Sequence, residues 1–476
     1  MYSLSFPLSG QTRLEHDLLG DKAVPVEALF GVQTLRGIEN FQISASRLSD
    51  YPCFIQALGY VKMGAALANH ELGLLSDSVK DAIIAACREL IDGKHAAHFP
   101  LDMIQGGAGT SVNMNANEVI ANRALEIMGK QRGEYAYCHP NDHVNMAQST
   151  NDAYPSAVHL AFYMTHQNVR RSLLHLIASF EEKAKEFAHI IKMGRTQLQD
   201  AVPMTLGQSF GAYATALKNE IQHIDTAAQK FLTINMGATA IGTGITAEPG
   251  YAATCIKHIR TITGWDVVLA DDLVEATHDT SCLYGYSSAL KALAIKTSKI
   301  CNDLRLLSSG PRTGLGEINL PPKQPGSSIM PGKVNPVIPE VMNQICFRII
   351  GNDTTITLGG EAAQLELNVM EPVMVHSLFE SCQWLSNGFN TLRVECIDGI
   401  TANADLCRHL VQHSIGIVTA LKPFIGYAHC TEVAKEALET GGSVYQLVLD
   451  KKLLTKEQLD KILDPKQMIS PSKIVL

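Results

Sequence analysis

Apolar residues fall at Val169, Leu173, Leu176, Phe180, Ala184, Phe187 and Ile191, three or four apart, with Arg170, Glu181, Glu182 and Lys185 between them. That period places side chains on one face of an α-helix, and it predicts a helix with a single buried stripe reaching Ile191. A second row, Leu290, Leu293, Thr297, Ile300, Leu304 and Leu307, alternates three and four like a coiled-coil seam. Proline-free stretches run from Ser156 to Val202, Met204 to Glu248, Gly250 to Gly310 and Val373 to Lys422. Without an interior proline nothing there forces a helix to break. Helices this long cannot hide their stripes alone, so a helix bundle is expected.

Around this block the chain changes character. Up to about Gln148 it mixes shorter elements with turn signals such as His139-Pro140-Asn141-Asp142, and it holds the glycine-rich run Gln105-Gly106-Gly107-Ala108-Gly109-Thr110. From about Ala402 the elements shorten again. A break at Glu439-Thr440-Gly441-Gly442-Ser443 precedes amphipathic helices near Val444 to Leu449 and from Thr455 to Leu463. The expected organisation is an N-terminal domain over 1–149, a central helical-bundle domain over 150–402 and a C-terminal domain over 403–476. No alternation of strand and helix supports a doubly wound sheet, and no G-x-G-x-x-G follows a strand.

Composition narrows the function classes. The 476 residues are 46% hydrophobic and 18% charged, which suits a globular chain and excludes a disordered one. Lys plus Arg number 39 against 47 Asp plus Glu, a formal charge of -8, so no chain-wide attraction to nucleic acid or anionic lipid exists. A small-molecule site remains open. The 11 cysteines include no C-x-x-C pair, which argues against a disulfide framework and a zinc module and fits a reducing compartment. Met1 to Asp17 lacks a basic region followed by an apolar stretch, and no window has ~18 uninterrupted apolar residues. The reading is a cytoplasmic protein with neither membrane nor nucleic-acid partners.

Candidate chemistry concentrates in four places. The segment Gly326-Ser327-Ser328-Ile329-Met330-Pro331-Gly332-Lys333-Val334-Asn335-Pro336 follows Pro321-Pro322 and must be a loop. Its glycines free backbone N–H groups to face an anion, and two hydroxyls, an ammonium and an amide stand close by. A plain surface turn would not explain why Lys333 and Asn335 accompany the serines. Two polar clusters, Gly107-Ala108-Gly109-Thr110-Ser111 with Asn113, Asn115 and Asn117, and Gln148-Ser149-Thr150-Asn151-Asp152, stand where long helices should begin. Taken by themselves they read as helix caps. The fourth, Gly194-Arg195-Thr196-Gln197-Leu198-Gln199-Asp200, joins two helical segments. His139 and His143 form the best histidine cluster, and a helix-entry turn explains them better than a metal. Met370-Glu371 and the other single charges in the bundle read as packing or solvated faces.

Together GAGTSVNMNANE, STNDAYPSA, GRTQLQDAVP and GSSIMPGKVNP resemble the aspartase/fumarase superfamily in order and spacing, and the likeness runs from Asp17 to about Leu463. The resemblance implies a mainly α, three-domain aspartase/fumarase-like fold whose central long helices form a tetrameric helical core. It implies a homotetramer with active sites shared by three subunits. Within the superfamily the chain is closer to the aspartate ammonia-lyase branch. Fumarase-like chains carry Gly-Arg-Thr-His where Gly194-Arg195-Thr196-Gln197 stands, and Ser-Ser-Asn-Asp where Ser149-Thr150-Asn151-Asp152 stands. In fumarases that histidine is paired with a glutamate corresponding to Glu340; Gln197 cannot take a proton, so the resemblance implies that the charge relay proposed for fumarases is absent. Ser308-Ser309-Gly310-Pro311-Arg312 and Leu365-Glu366-Leu367-Asn368-Val369-Met370-Glu371-Pro372 also look more like aspartase.

The implied reaction is reversible deamination of a small dicarboxylate, L-aspartate, to fumarate and ammonia. Ser327 is the expected catalytic base, removing the Cβ proton to leave an enediolate. Thr110, Ser149, Thr150 and Ser328 would face the β-carboxylate, where each preorganised donor can contribute ~2.7 to 4 kcal/mol. Thr196, Lys333 and Asn335 would hold the α-carboxylate, and Asn151 and Gln197 would meet the amino group. A serine is a weak acid, so the loop's N–H groups and Lys333 would have to lower its pKa. The resemblance implies no required cofactor and no metal ligand, and it leaves open activation by a divalent cation.

Competing readings are a class II fumarase and a non-enzymatic structural recruit of the same fold, which would have lost the serine loop. Argininosuccinate or adenylosuccinate cleavage calls for a histidine where Gln197 or Ser149 stands. The Ala-Ser-Gly tripeptide from which other ammonia-lyases build an electrophile does not occur. A pyridoxal enzyme would want an α/β scaffold.

Overall fold

A computed structural model of the chain describes residues 4, 6–464, 467 and 469; the outer limits of the expected N- and C-terminal domains lie outside them. The fold is mainly helical. Its helices are α1 (Val32–Asn40), α2 (Pro52–Glu71), α3 (Asp77–Ile91), α4 (Thr110–Ile127), α5 (Thr150–Glu186), α6 (Leu206–Gln229), α7 (Tyr251–Thr263), α8 (Glu275–His278), α9 (Ser281–Leu307), α10 (Val337–Glu361) and α11 (Glu371–Glu395). The C-terminal part adds α12 (Ala404–His413), α13 (Val418–Thr440), α14 (Val444–Asp450) and α15 (Lys456–Ile462). Strands occur among the described residues only as two-stranded sheets. One antiparallel pair is β1 (Thr12–Asp17) with β2 (Gly20–Pro25), and another is β3 (Ile191–Thr196) with β4 (Gln199–Thr205). No helix among the described residues is long and apolar enough to cross a membrane, and all 11 cysteines are free.

The seam on α9 is realised as expected: Leu290, Leu293, Thr297, Ile300, Leu304 and Leu307 are all buried. The stripe on α5 is realised only in part. The helix stops at Glu186, and Ile191 opens β3 instead of continuing the helix. The cause is local. The first amides of α6 take carbonyls released at the helix end, Gly207 N donating to Phe187 O at 3.0 Å and Leu206 N to Ile190 O at 2.8 Å. A Cβ on Gly207 would lie 2.5 Å from Ala184 O, so only glycine permits this approach. At its other end α5 begins at Thr150, five residues ahead of Pro155. Pro155 has no N–H for the carbonyl of Asn151, and the Asn235 side chain donates to that oxygen instead at 3.0 Å.

Two compact units divide the chain. The first holds Met1–Arg170, Ile221–Ala292 and Phe347–Leu385. Its core contains a chain of touching rings: Tyr154, Phe54, Phe379, Phe162, Phe231 and Tyr286, with successive centroids 4.3 to 5.7 Å apart. The second holds Arg171–Glu220, Leu293–Cys346 and Ser386–Leu476. Its core gathers Ile191 and Met193 of β3 with Val411, Leu421, Val433, Val448, Leu459 and Ile462 of the C-terminal helices. The helices expected near Val444 and Thr455 are α14 and α15, and Thr455 caps α15 by accepting from Gln458 N.

Candidate active site

In the first unit the glycine-rich run turns the chain into α4 through three successive left-handed residues, Gly107 (φ 89°), Ala108 (φ 52°) and Gly109 (φ 85°). Thr110 opens the helix and donates its hydroxyl to Gly107 O at 2.7 Å. No side chain caps α4, and Asn113, Asn115 and Asn117 are buried in its interior. The capping role expected of this cluster is therefore absent; the backbone turn replaces it. The second cluster does cap its helix. Ser149 Oγ accepts from Asn151 N at 3.2 Å, and Asp152 Oδ1 accepts from Ser149 N at 2.9 Å.

Asp152 also receives the N–H groups of Gly237 and Thr239 on its second oxygen, at 3.1 and 3.0 Å. Burial pushes its carboxyl up to about 6, against the pull of those backbone donors. Asn151 Nδ2 donates to Ala240 O at 2.8 Å. Asn113 Nδ2 donates to Thr150 Oγ1 at 3.2 Å. Thr110, Ser149, Thr150 and Asn151 thus stand at the meeting of the starts of α4 and α5. The supporting segment Gly237-Ala238-Thr239-Ala240 escaped the sequence reading. Its signal was the glycine spacing Gly237, Gly242 and Gly244 inside a proline-free stretch, where the chain leaves helix entirely.

In the second unit Thr196 and Gln197 lie at the tip of the β3–β4 hairpin. Gln197 (φ 54°) and Leu198 (φ 62°) form its two-residue turn, both left-handed without being glycine. Such strain in a non-glycine pair persists only where the surroundings enforce it. The hairpin is braced from behind, since Arg195 and Lys192 both pair with Glu317, a carboxylate with no exposed surface. The tip itself is exposed.

The serine loop lies in the same unit and is closed on itself. Gly326 N donates to Lys333 O at 2.6 Å, and Asn335 Nδ2 donates to Gly326 O at 3.0 Å. A Cβ on Gly326 would meet Lys333 O at 2.8 Å and Asn335 at 3.0 Å, which is why glycine opens the motif. Ser327 Oγ accepts two backbone N–H groups, from Ile329 at 3.2 Å and Met330 at 3.1 Å. Ser328 and Lys333 are exposed and Asn335 is half-buried. The loop therefore gathers Ser327, Ser328, Lys333 and Asn335. No hydrogen bond among the described residues joins them to Thr196 or Gln197. Glu340 falls in the first turn of α10.

His139 and His143 take the turn role expected of them. His139 Nδ1 accepts from Asn141 N and Asp142 N, and His143 Nδ1 accepts from His139 N. Among the described residues no group of three or more His, Cys, Asp or Glu side chains is placed to hold a metal ion.

A family model described as Lyase matches residues 20–351, and one described as Fumarase C C-terminus matches residues 417–470. The chain belongs to the aspartase/fumarase superfamily. Its similarity to individual superfamily members spans nearly the whole chain. It is 55% identical over 459 residues to the aspartate ammonia-lyase of Helicobacter pylori, covering 96% of this chain and 98% of that one. It is 53% identical over 466 residues to the aspartate ammonia-lyase of Escherichia coli, covering 98% of each. Among solved structures it matches a Brucella melitensis protein described as fumarate lyase:delta crystallin, bound to cobalt, with a TM-score of 0.94 and 50% identity over 97% of this chain and 100% of that one. The class II fumarase of Schistosoma mansoni superposes with a TM-score of 0.90 at 34% identity, over 96% of this chain and 99% of the other.

Proposed function

We propose that this protein catalyses the reversible deamination of L-aspartate to fumarate and ammonia. Identities of 53 to 56% to aspartate ammonia-lyases over almost the full length support that substrate, against 34% to the fumarase. The serine loop is complete, which sets aside the structural recruit.

The observation that carries the mechanism is the pair of backbone N–H groups aimed at Ser327 Oγ. The same donors that bind a neutral hydroxyl bind an alkoxide more strongly, so they favour ionisation of this serine. Ser327 removes the Cβ proton; the electron pair passes into the β-carboxylate to give an enediolate. Collapse of that dianion forms the fumarate double bond as the carbon–nitrogen bond breaks, and the substrate's ammonium group takes the bonding pair and leaves as neutral ammonia. Ser149, Thr150 and Ser328 donate to the β-carboxylate, where charge accumulates, joined by Thr110 once its hydroxyl turns away from Gly107 O, and Thr196, Lys333 and Asn335 bind the α-carboxylate. Asn151 and Gln197 meet the amino group. Every step is a proton transfer or a carbon–nitrogen cleavage, so the route calls for no organic cofactor.

The same reading assigns three domains, over 1–149, 150–402 and 403–476, and a homotetramer in which each site draws on three chains. The assembly of several copies draws support from the faces the helices leave open. Tyr284, Ile295 and Leu306 on α9 are exposed and spaced by eleven, as are Phe347 and Leu358 on α10. Eleven residues make three turns, so each set lies along one side of its helix. Further copies of the chain would cover them.

The test is direct: purified protein is given L-aspartate and, separately, L-malate, and fumarate absorbance and released ammonia are followed. Aspartate turnover with malate nearly untouched is expected. Robust dehydration of malate without ammonia release would replace the reading with fumarase.

A further inference from the structure

Lys62 lies on α2 with no exposed surface, beneath the starts of α4 and α5. Its Nζ donates to Asn113 Oδ1 at 2.7 Å, Gln148 Oε1 at 2.9 Å and Asn145 Oδ1 at 3.0 Å. Three acceptors use three protons, the number an ammonium has and an amine lacks. Burial pulls the group down to about 7, and the Asp152 carboxylate opposes that pull.

All three acceptors belong to side-chain amides, and a cation can sit only against their oxygens. Each nitrogen is therefore turned away from Lys62. Gln148 Nε2 donates to the carbonyls of Val144 and Met146, and Asn145 Nδ2 to Gln148 O. Asn113 Nδ2 donates to Asn145 Oδ1 and to Thr150 Oγ1, both at 3.2 Å. Thr150 consequently accepts on its inner side, and its own proton has no acceptor among the described residues. With the Asn113 amide reversed, Thr150 would give that proton inward and have none for a ligand.

We propose that Lys62 is a positioning residue: by holding the Asn113 amide oxygen it fixes Thr150 as a hydrogen-bond donor toward the substrate's carboxylate. This rests on the role given to Thr150 in the proposed function. The buried charge also polarises the amide–hydroxyl chain, which strengthens the last donor in it. Lys62 itself touches no substrate.

The test uses the full-length protein and L-aspartate. Asn113→Asp keeps an oxygen for Lys62 but replaces the donating nitrogen with an acceptor, so it draws the Thr150 proton inward. Asn113→Asp and Thr150→Val should each lower kcat/KM at least tenfold, mostly in kcat, and the double variant should fall no more than twofold below Thr150→Val. Lys62→Met should behave likewise in the Thr150→Val background. Losses that multiply independently, as a merely structural contact would give, overturn the inference and leave the Thr150 role standing. A Thr150→Val protein with wild-type turnover overturns both together. Should the polar variants not fold by circular dichroism, a crystal structure of the wild-type protein with succinate decides. Thr150 Oγ1 bonded to both Asn113 Nδ2 and a ligand oxygen upholds the inference. Thr150 on the ligand with Asn113 turned elsewhere overturns it.

Discussion

A Cβ placed on Gly109 would lie 2.5 Å from the ring of Tyr154, so α4 and α5 meet at a contact that only glycine allows. The backbone there is left-handed, at φ 85°. Thr110 and Thr150, each opening one of those helices, share a corner because of it.

Gly109→Ala should therefore cost about 1 kcal/mol in backbone strain and roughly 1 to 3 kcal/mol more in overpacking against Tyr154. Thermal unfolding should register the loss of stability. Turnover of L-aspartate should drop at least tenfold, since Thr110 moves with the helix start. Full activity in a destabilised variant would detach this contact from the site.

Ser327→Ala should abolish turnover while largely preserving binding of an unreactive dicarboxylate, because a base acts only on the proton in flight. Lys333→Ala should weaken both, since it removes a charge-assisted contact to the α-carboxylate. Retention of more than about a tenth of kcat in Ser327→Ala, a loss under ~1.4 kcal/mol, would mean that another group takes the proton.

Thr110→Ala and Ser327→Ala lie in different compact units and should each be inactive. Mixed, dissociated and reassembled, they should recover part of the wild-type rate if a site draws on more than one chain. Light scattering should give a tetramer. A fully active monomer would contradict shared sites.

Glu371 offers a pH test. It is buried at the start of α11, its side chain makes no hydrogen bond among the described residues, and burial pushes its carboxyl up to about 8 from 4.5. The folded state thus holds a proton that the unfolded chain releases above 4.5. Its contribution to stability is fully present below 4.5 and falls as pH rises towards 8, by up to roughly 5 kcal/mol. Glu371→Gln, which mimics the protonated group, should raise the melting temperature at pH 9 and change it little at pH 5. No gain at pH 9 would mean that the ionised carboxylate finds a partner in the assembled protein.

Much of the fold is legible in the pattern of side chains. The seam from Leu290 to Leu307 is buried as its spacing requires, and the proline-dense segment carrying Ser327 is a loop. The α5 stripe misled at its end, because Phe187 and Ile191 keep helical spacing while the chain has already turned. Hydrophobic spacing reports which residues are buried, and burial in a strand or a turn can mimic it over one or two positions. The clusters around Thr110 and Ser149 read equally as caps, and only one of them is; local sequence cannot tell a side-chain cap from a glycine turn that serves the same backbone.

The sequence alone determined that the chain is helical, where its polar clusters fall, and which superfamily it resembles, because periodicity, proline placement and short motifs are local properties. Tertiary structure decided the rest. It placed Asn235 on the carbonyl that Pro155 leaves bare, Glu317 behind the Thr196 hairpin, and Lys62 beneath Asn113 and Thr150. Each is a contact between residues 37 to 122 positions apart or more than one such step, as in Asn113 to Thr150 and Arg195 to Glu317. Hydrogen-bond polarity and buried charge depend on which groups folding brings within about 3 Å, and no spacing along the chain encodes that.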